Sequence, residues 1–155
     1  MSDITKSGVR ALVEAGDETA ILALFDEDPH RVQRFLKRLA CAPDAAHHAR
    51  TVACFRMLSR ERSAGMPEFF RETIRRSLWE MNEEGGNVAW SAPEIAAAVV
   101  AGAPERYGRF ASYLIMAALD ELTFHPSLLA AADLLAAADP ALVEEFLPQL
   151  ESLRR

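Results

Sequence analysis

The chain has 155 residues, with 23 acidic against 17 Lys and Arg side chains and a formal net charge of −6. Half of it is apolar, 28 residues are alanine and β-branched residues are sparse, a composition that suits closely packed helices and argues against a sheet protein or a disordered chain. No apolar run reaches the roughly 18 residues of a membrane span, the opening Met1-Ser2-Asp3-Ile4-Thr5-Lys6 does not read as a signal peptide, and Cys41 and Cys54 are too few for a disulfide framework. The expectation is one soluble cytoplasmic domain, residues 1–155, with reduced thiols and no membrane contact.

The charge is segregated along the chain. Residues 1–30 hold 2 basic and 7 acidic side chains, residues 31–76 hold 11 basic and 4 acidic, and residues 77–155 hold 4 basic and 12 acidic. Such asymmetry marks either a surface for nucleic acid or an acidic partner, or solvated helix faces that attract one another on folding.

Proline punctuates the elements. Pro29, Pro43, Pro67, Pro93, Pro104, Pro126 and Pro140 each precede a stretch of helical patterning, as expected of a residue tolerated in the first helical turn. Asp44, Glu68, Glu94 and Glu105 follow four of them and place negative charge at the positive end of a helix dipole. The predicted helices lie near 30–41, 44–60, 67–82, 93–102, 105–118, 126–138 and 140–153. In the first, Val32, Phe35, Leu36 and Leu39 form an apolar stripe beside a basic one of Arg31, Arg34 and Arg38. The segments 94–101, 114–119 and 127–138 are almost wholly apolar and belong in the middle of a stack. Pro148 suggests a kink inside the last helix. First helices start near 30, 67, 105 and 140, a period of about 36 to 38 residues that fits stacked helix-pair repeats.

Two segments carry a family resemblance. Leu22-Ala23-Leu24-Phe25-Asp26-Glu27-Asp28-Pro29-His30-Arg31-Val32 resembles the acidic, proline-containing turn of HEAT-like repeats. Trp79 to Glu94 (WEMNEEGGNVAWSAPE) resembles an acidic-Gly-Gly-aromatic insertion of small bacterial HEAT-like proteins. The resemblance covers about residues 20–153. It implies an all-α fold, a short right-handed α-α superhelix of about three to four helix pairs, which binds other macromolecules; it does not imply a reaction.

The stretch Asn82–Ser91 is slightly long for a connection between paired helices. Its Gly85 and Gly86 permit a tight reversal, Glu83 and Glu84 present charge, and Trp79 and Trp90, the only tryptophans, flank it. It reads either as a binding loop with aromatic anchors or as a loop whose tryptophans fill the core between repeats. In the first reading Glu83, Glu84, Gly85, Gly86, Asn87 and Trp90 meet a protein partner, together with the second-helix face. Adjacent carboxylates such as Glu83 and Glu84 are poorly placed to act as a catalytic pair.

Cys41, His47, His48 and Cys54 offer soft and imidazole ligands, but without the short spacings of structural zinc sites, so no metal is expected. His30 and His125 have no nucleophile placed with them, and no phosphate-binding or dinucleotide motif is present. The chain therefore reads as a non-enzymatic protein–protein interaction module with no cofactor. The alternative is a nucleic-acid or other polyanion binder using the arginine-rich 31–76 segment, with Arg31, Arg34, Arg38, Arg71 and Arg75 on phosphates. Against it stand a pI of about 5.2 and the distance in sequence of Tyr107 and Tyr113 from the basic segment.

Overall fold

The computed structural model describes residues 3–42, 45–82 and 90–155, and among them every regular element is a helix. The chain runs through α1 (Lys6–Ala15), α2 (Glu18–Glu27), α3 (Pro29–Ala40), α4 (His48–Arg62), α5 (Pro67–Asn82) and α6 (Ala92–Gly102). It continues through α7 (Pro104–Tyr107), a 3-10 turn at Gly108–Phe110, α8 (Ala111–Leu119), a second 3-10 turn at Leu122–Phe124, and α9 (His125–Ala138). Two further 3-10 turns lead into α10 (Leu147–Arg154). No described helix is long and apolar enough to cross a membrane.

Local chemistry sets the boundaries. Thr5, Asp17 and Asp28 cap α1, α2 and α3 by accepting the backbone N–H of Gly8, Ala20 and Arg31. Gly16, at φ 68°, closes α1 in the left-handed conformation that favours glycine and lets α2 reverse direction within two residues. Proline occupies the first turn of α3, α5, α6, α7, α9 and α10.

The structure departs from expectation at several elements. The patterning of residues 1–30 conceals two helices. The predicted 105–118 helix is broken at Gly108. The predicted 140–153 helix opens with two 3-10 turns, because α10 begins only at Leu147, and Pro148 stands in its first turn rather than at a kink. The second helix starts at His48, later than 44; Pro43 and Asp44 lie outside the described residues.

Most neighbours in sequence pack together, and so do elements two or three labels apart: α1 with α3, α2 with α4, α4 with α6, α5 with α8 and α6 with α9. Most long-range side-chain hydrogen bonds follow the same rhythm and join residues 33 to 46 apart, among them Gln33–Thr73, Ser59–Val99, Tyr107–Pro67 and Glu94–Ser127. Paired contacts that ascend both helices make α3 parallel to α5 and α4 parallel to α6.

The apolar stretch 94–101 behaves as expected: α6 is covered by α4, α5, α8 and α9, and Ala96 through Val100 are fully buried. Its contact with α4 is close. A Cβ built on Gly102 would lie 2.4 Å from the Arg56 carbonyl oxygen, and Ser59 Oγ donates a buried 2.7 Å hydrogen bond to the Val99 carbonyl. The other two apolar stretches are less enclosed: α8 exposes Tyr113 and Met116, and α9 exposes Asp133, Ala137 and Ala138. Phe25, Leu36, Phe55, Phe70, Ile74, Leu114, Leu128 and Leu135 belong to one continuous hydrophobic cluster. Phe25 stacks on Phe70 and meets Phe69 edge-on.

Candidate binding groove and exposed aromatic residues

Helices α4, α6 and α9 line an open groove of about 350 Å³. Ala49, Val52, Ala53 and Arg56 of α4 form one wall, Ala130, Asp133, Leu134 and Ala137 of α9 the other, and Glu94 of α6 lies between them. Half of the wall positions are alanine, whose short side chains leave room above the buried α6. Its carboxylates are engaged: Glu94 Oε2 lies 3.1 Å from His48 Nε2, with both side chains 12% exposed, and Asp133 accepts from Arg154 at 2.7 Å. Arg56 has no carboxylate within 4 Å among the described residues and is the groove's free charge.

The tryptophans do not fill the core. Trp79, in the last turn of α5, is 63% exposed, and Trp90, just before α6, is 51% exposed. The core-filling alternative is thereby overturned, and Ser91 instead ties this end of α6 down by donating its hydroxyl to the Ala40 carbonyl. Glu83, Glu84, Gly85, Gly86 and Asn87 lie outside the described residues.

The nominated arginines are largely occupied. Arg31 lies 3.7 Å from Asp28, Arg71 donates to Glu68, and Arg75 and Arg76 share Glu72 at 3.8 and 3.7 Å. Arg34 lies over the Phe35 ring, and Arg38 has no carboxylate within 4 Å among the described residues. Elsewhere in the basic segment, Lys37 reaches Glu80 at 3.2 Å, Arg60 reaches Glu18 at 3.5 Å, and Arg62 holds both oxygens of Asp26 at 2.7 and 2.9 Å. That fork keeps the Asp26 carboxyl below its ordinary range. Much of the charge segregation thus resolves into helix faces that attract one another.

The Cys and His side chains diverge. His48 turns to Glu94 on α6, whereas His47 turns to α1, 4.0 Å from Glu14, whose own carboxyl is held low by its hydrogen bond to Arg10. Cys41 is exposed and its thiol donates to the Lys37 carbonyl, while burial pushes the Cys54 thiol up to about 11. Cys54 is thus a protonated, desolvated thiol rather than a ready ligand or nucleophile. Ser127 meets Glu94 through the backbone, its Oγ accepting the Glu94 N–H at 3.3 Å. His30 packs against the Phe69 ring, and His125 Nε2 lies 3.0 Å from the Leu119 carbonyl oxygen, closing the turn before α9.

Sequence reading missed the outward face of α8, where Tyr113 and Met116 are 60% and 56% exposed. Their i, i+3 spacing was visible, but an almost wholly apolar segment gave no sign of which side is left uncovered. No family model, no curated protein and no solved structure matches the chain.

Proposed function

We propose that the chain is a short HEAT-like solenoid of three to four helix pairs and serves as a non-enzymatic protein–protein interaction module. The solenoid reading draws on the 36-to-38-residue period of the prolines, the parallel course of alternate helices, and hydrogen bonds spanning 33 to 46 residues. In this reading the partner enters the α4/α6/α9 groove and meets the 82–91 loop, with Glu83, Glu84, Gly85, Gly86, Asn87 and Trp90 as contacts.

The observation that carries the proposal is the exposure of both tryptophans. A large aromatic left in water stabilises nothing by burial, and tryptophan is enriched among the residues that dominate protein interfaces. The polyanion alternative draws less support, because Arg31, Arg71 and Arg75 already face carboxylates. Affinity capture from nuclease-treated source cytosol at low and moderate salt tests the proposal. Capture of one protein at both salts is expected, and its loss in Trp90→Ala and in Ala137→Arg, which fills the groove from an exposed α9 position. Undiminished capture by both folded variants would remove loop and groove from the account, and capture abolished by nuclease or modest salt would favour the polyanion alternative.

A further inference from the structure

A second cavity, of about 540 Å³, opens between α1 and the first turn of α4. Arg10 and Glu14 of α1 line it on one side, and Ala45, Ala46, His47 and Arg50 on the other. His47, the residue before α4, gives that 15-residue helix no side-chain cap, so the positive end of the helix dipole borders the cavity. The ring itself is 8% exposed and makes no hydrogen bond among the described residues. Nε2 is buried without a partner, and Nδ1 stands 4.0 Å from Glu14 Oε1, beyond bonding range but turned toward a residue of the opposite wall. A buried N–H without an acceptor costs more than a bare lone pair, so the ring proton belongs on Nδ1, on the cavity side.

We propose that this cavity binds a phosphate group, free or carried by a small phosphomonoester. Its one carboxylate, Glu14, is matched by Arg10 at 2.7 Å, and that hydrogen bond holds the carboxyl below its ordinary range. Arg50 gives Nη1 to the Glu14 carbonyl and has no carboxylate within 4 Å among the described residues. One guanidinium, one ring N–H and one helix end in the same cavity are therefore left without an anion. A phosphate presents three free oxygens in different directions and can meet donors from α1, from His47 and from the end of α4 together, whereas a planar carboxylate presents two. A metal ion fits less well, because two guanidinium groups line the cavity and among the described residues no three His, Cys, Asp or Glu side chains could hold one. Arg10 and Arg50 lie 40 residues apart, so no contiguous phosphate motif marks the site. The recognition reading above uses the groove between α4 and α9 and is independent of this one.

The test is calorimetric titration of the full chain with phenyl phosphate and with inorganic phosphate at low ionic strength, the His47 ring being followed by NMR. Acetate and dimethyl phosphate serve as rival probes. Saturable binding of one phosphate per chain with a shifted His47 signal is expected. Tighter binding of phenyl phosphate would identify the esterified group as the natural source, and tighter binding of inorganic phosphate the free anion. Arg50→Gln should weaken binding by about tenfold or more, the loss typical of a charge-assisted hydrogen bond. His47→Leu should weaken it as well, and His47→Asn, which keeps a donor near the Nδ1 position, should restore much of the loss. Glu14→Gln, which removes the one repelling charge, should strengthen it by about threefold. Arg38→Gln, exposed on α3 outside the cavity, should leave it unchanged. Arg50 and Glu14 are exposed, so circular dichroism should report an intact fold in those variants even if the His47 variants are destabilised.

Acetate or dimethyl phosphate binding as tightly as phosphate, no saturation by about 10 mM, or an unmoved His47 signal would overturn the inference. So would undiminished binding by a folded Arg50→Gln protein. Asp44 lies outside the described residues, three positions before His47. Phosphate binding seen only in Asp44→Asn would assign the cavity to the chain's own carboxylate and overturn the inference too.

Discussion

Gly102→Ala tests the packing on which the groove depends. In an ordinary helix interior the change is favourable by about 1 kcal/mol, because alanine has the better helix propensity. At Gly102 the new Cβ would stand 2.4 Å from the Arg56 carbonyl oxygen, 2.8 Å from Ser59 Cβ and 2.9 Å from the Arg60 nitrogen. Two of these atoms are backbone and cannot rotate away, so relief requires α4 and α6 to separate by about 1 Å, the shortfall from an ordinary contact. The same movement stretches the 2.7 Å Ser59–Val99 hydrogen bond beyond bonding range. Overpacking costs about 1–3 kcal/mol and the lost hydrogen bond about 1 kcal/mol, so a net destabilisation of about 2 kcal/mol remains after the propensity gain. Urea unfolding followed by circular dichroism should show a lower midpoint with an unchanged slope. Gly65→Ala is the internal control, since its Cβ would meet nothing closer than the Arg62 carbonyl at 3.9 Å. It should leave stability within about 0.5 kcal/mol or raise it slightly. A Gly102→Ala protein as stable as the parent would refute the close α4–α6 approach.

Trp79→Ala and Trp90→Ala should each change unfolding free energy by less than about 1 kcal/mol, where burial of either ring in the core would cost about 3–5 kcal/mol. A thiol reagent at mildly alkaline pH should label exposed Cys41 rapidly, and Cys54 only once urea unfolds the chain; prompt double labelling would contradict the raised Cys54 value of about 11. The Asp26 carboxyl is depressed in the folded state, so its contribution is fully present above its ordinary value near 3.8 and disappears as pH falls through the folded value. Asp26→Asn should therefore destabilise the protein at neutral pH, and the difference from the parent should vanish in strong acid. A pH-independent difference would point to packing rather than to the Arg62 ion pair.

The helix starts at α3, α5, α6 and α9 were legible because capping and proline chemistry act within a few residues. The pairings of Glu68 with Arg71 and of Glu72 with Arg75 and Arg76 follow equally from their three- and four-residue spacing. Helices α1 and α2 were missed although Thr5, the Gly16-Asp17 stop and start, and Val9 and Val13 one turn apart were present as local signals. Of the candidate site, sequence singled out Trp90, Trp79 and the second-helix face, but not whether the rings are covered. That depends on which helix comes to lie against which: α6 is apolar on every side and becomes the centre of the stack, whereas α8, nearly as apolar, is left with Tyr113 and Met116 in water. The same holds for Arg62 with Asp26 and Lys37 with Glu80, pairs 36 and 43 residues apart that exist only because alternate helices pack side by side. Local patterning determined where the helices begin and which are most apolar, since those properties reside in a single turn. Only the tertiary structure decided which faces remain open to a partner, since exposure is set by the neighbour a helix acquires and not by the helix itself.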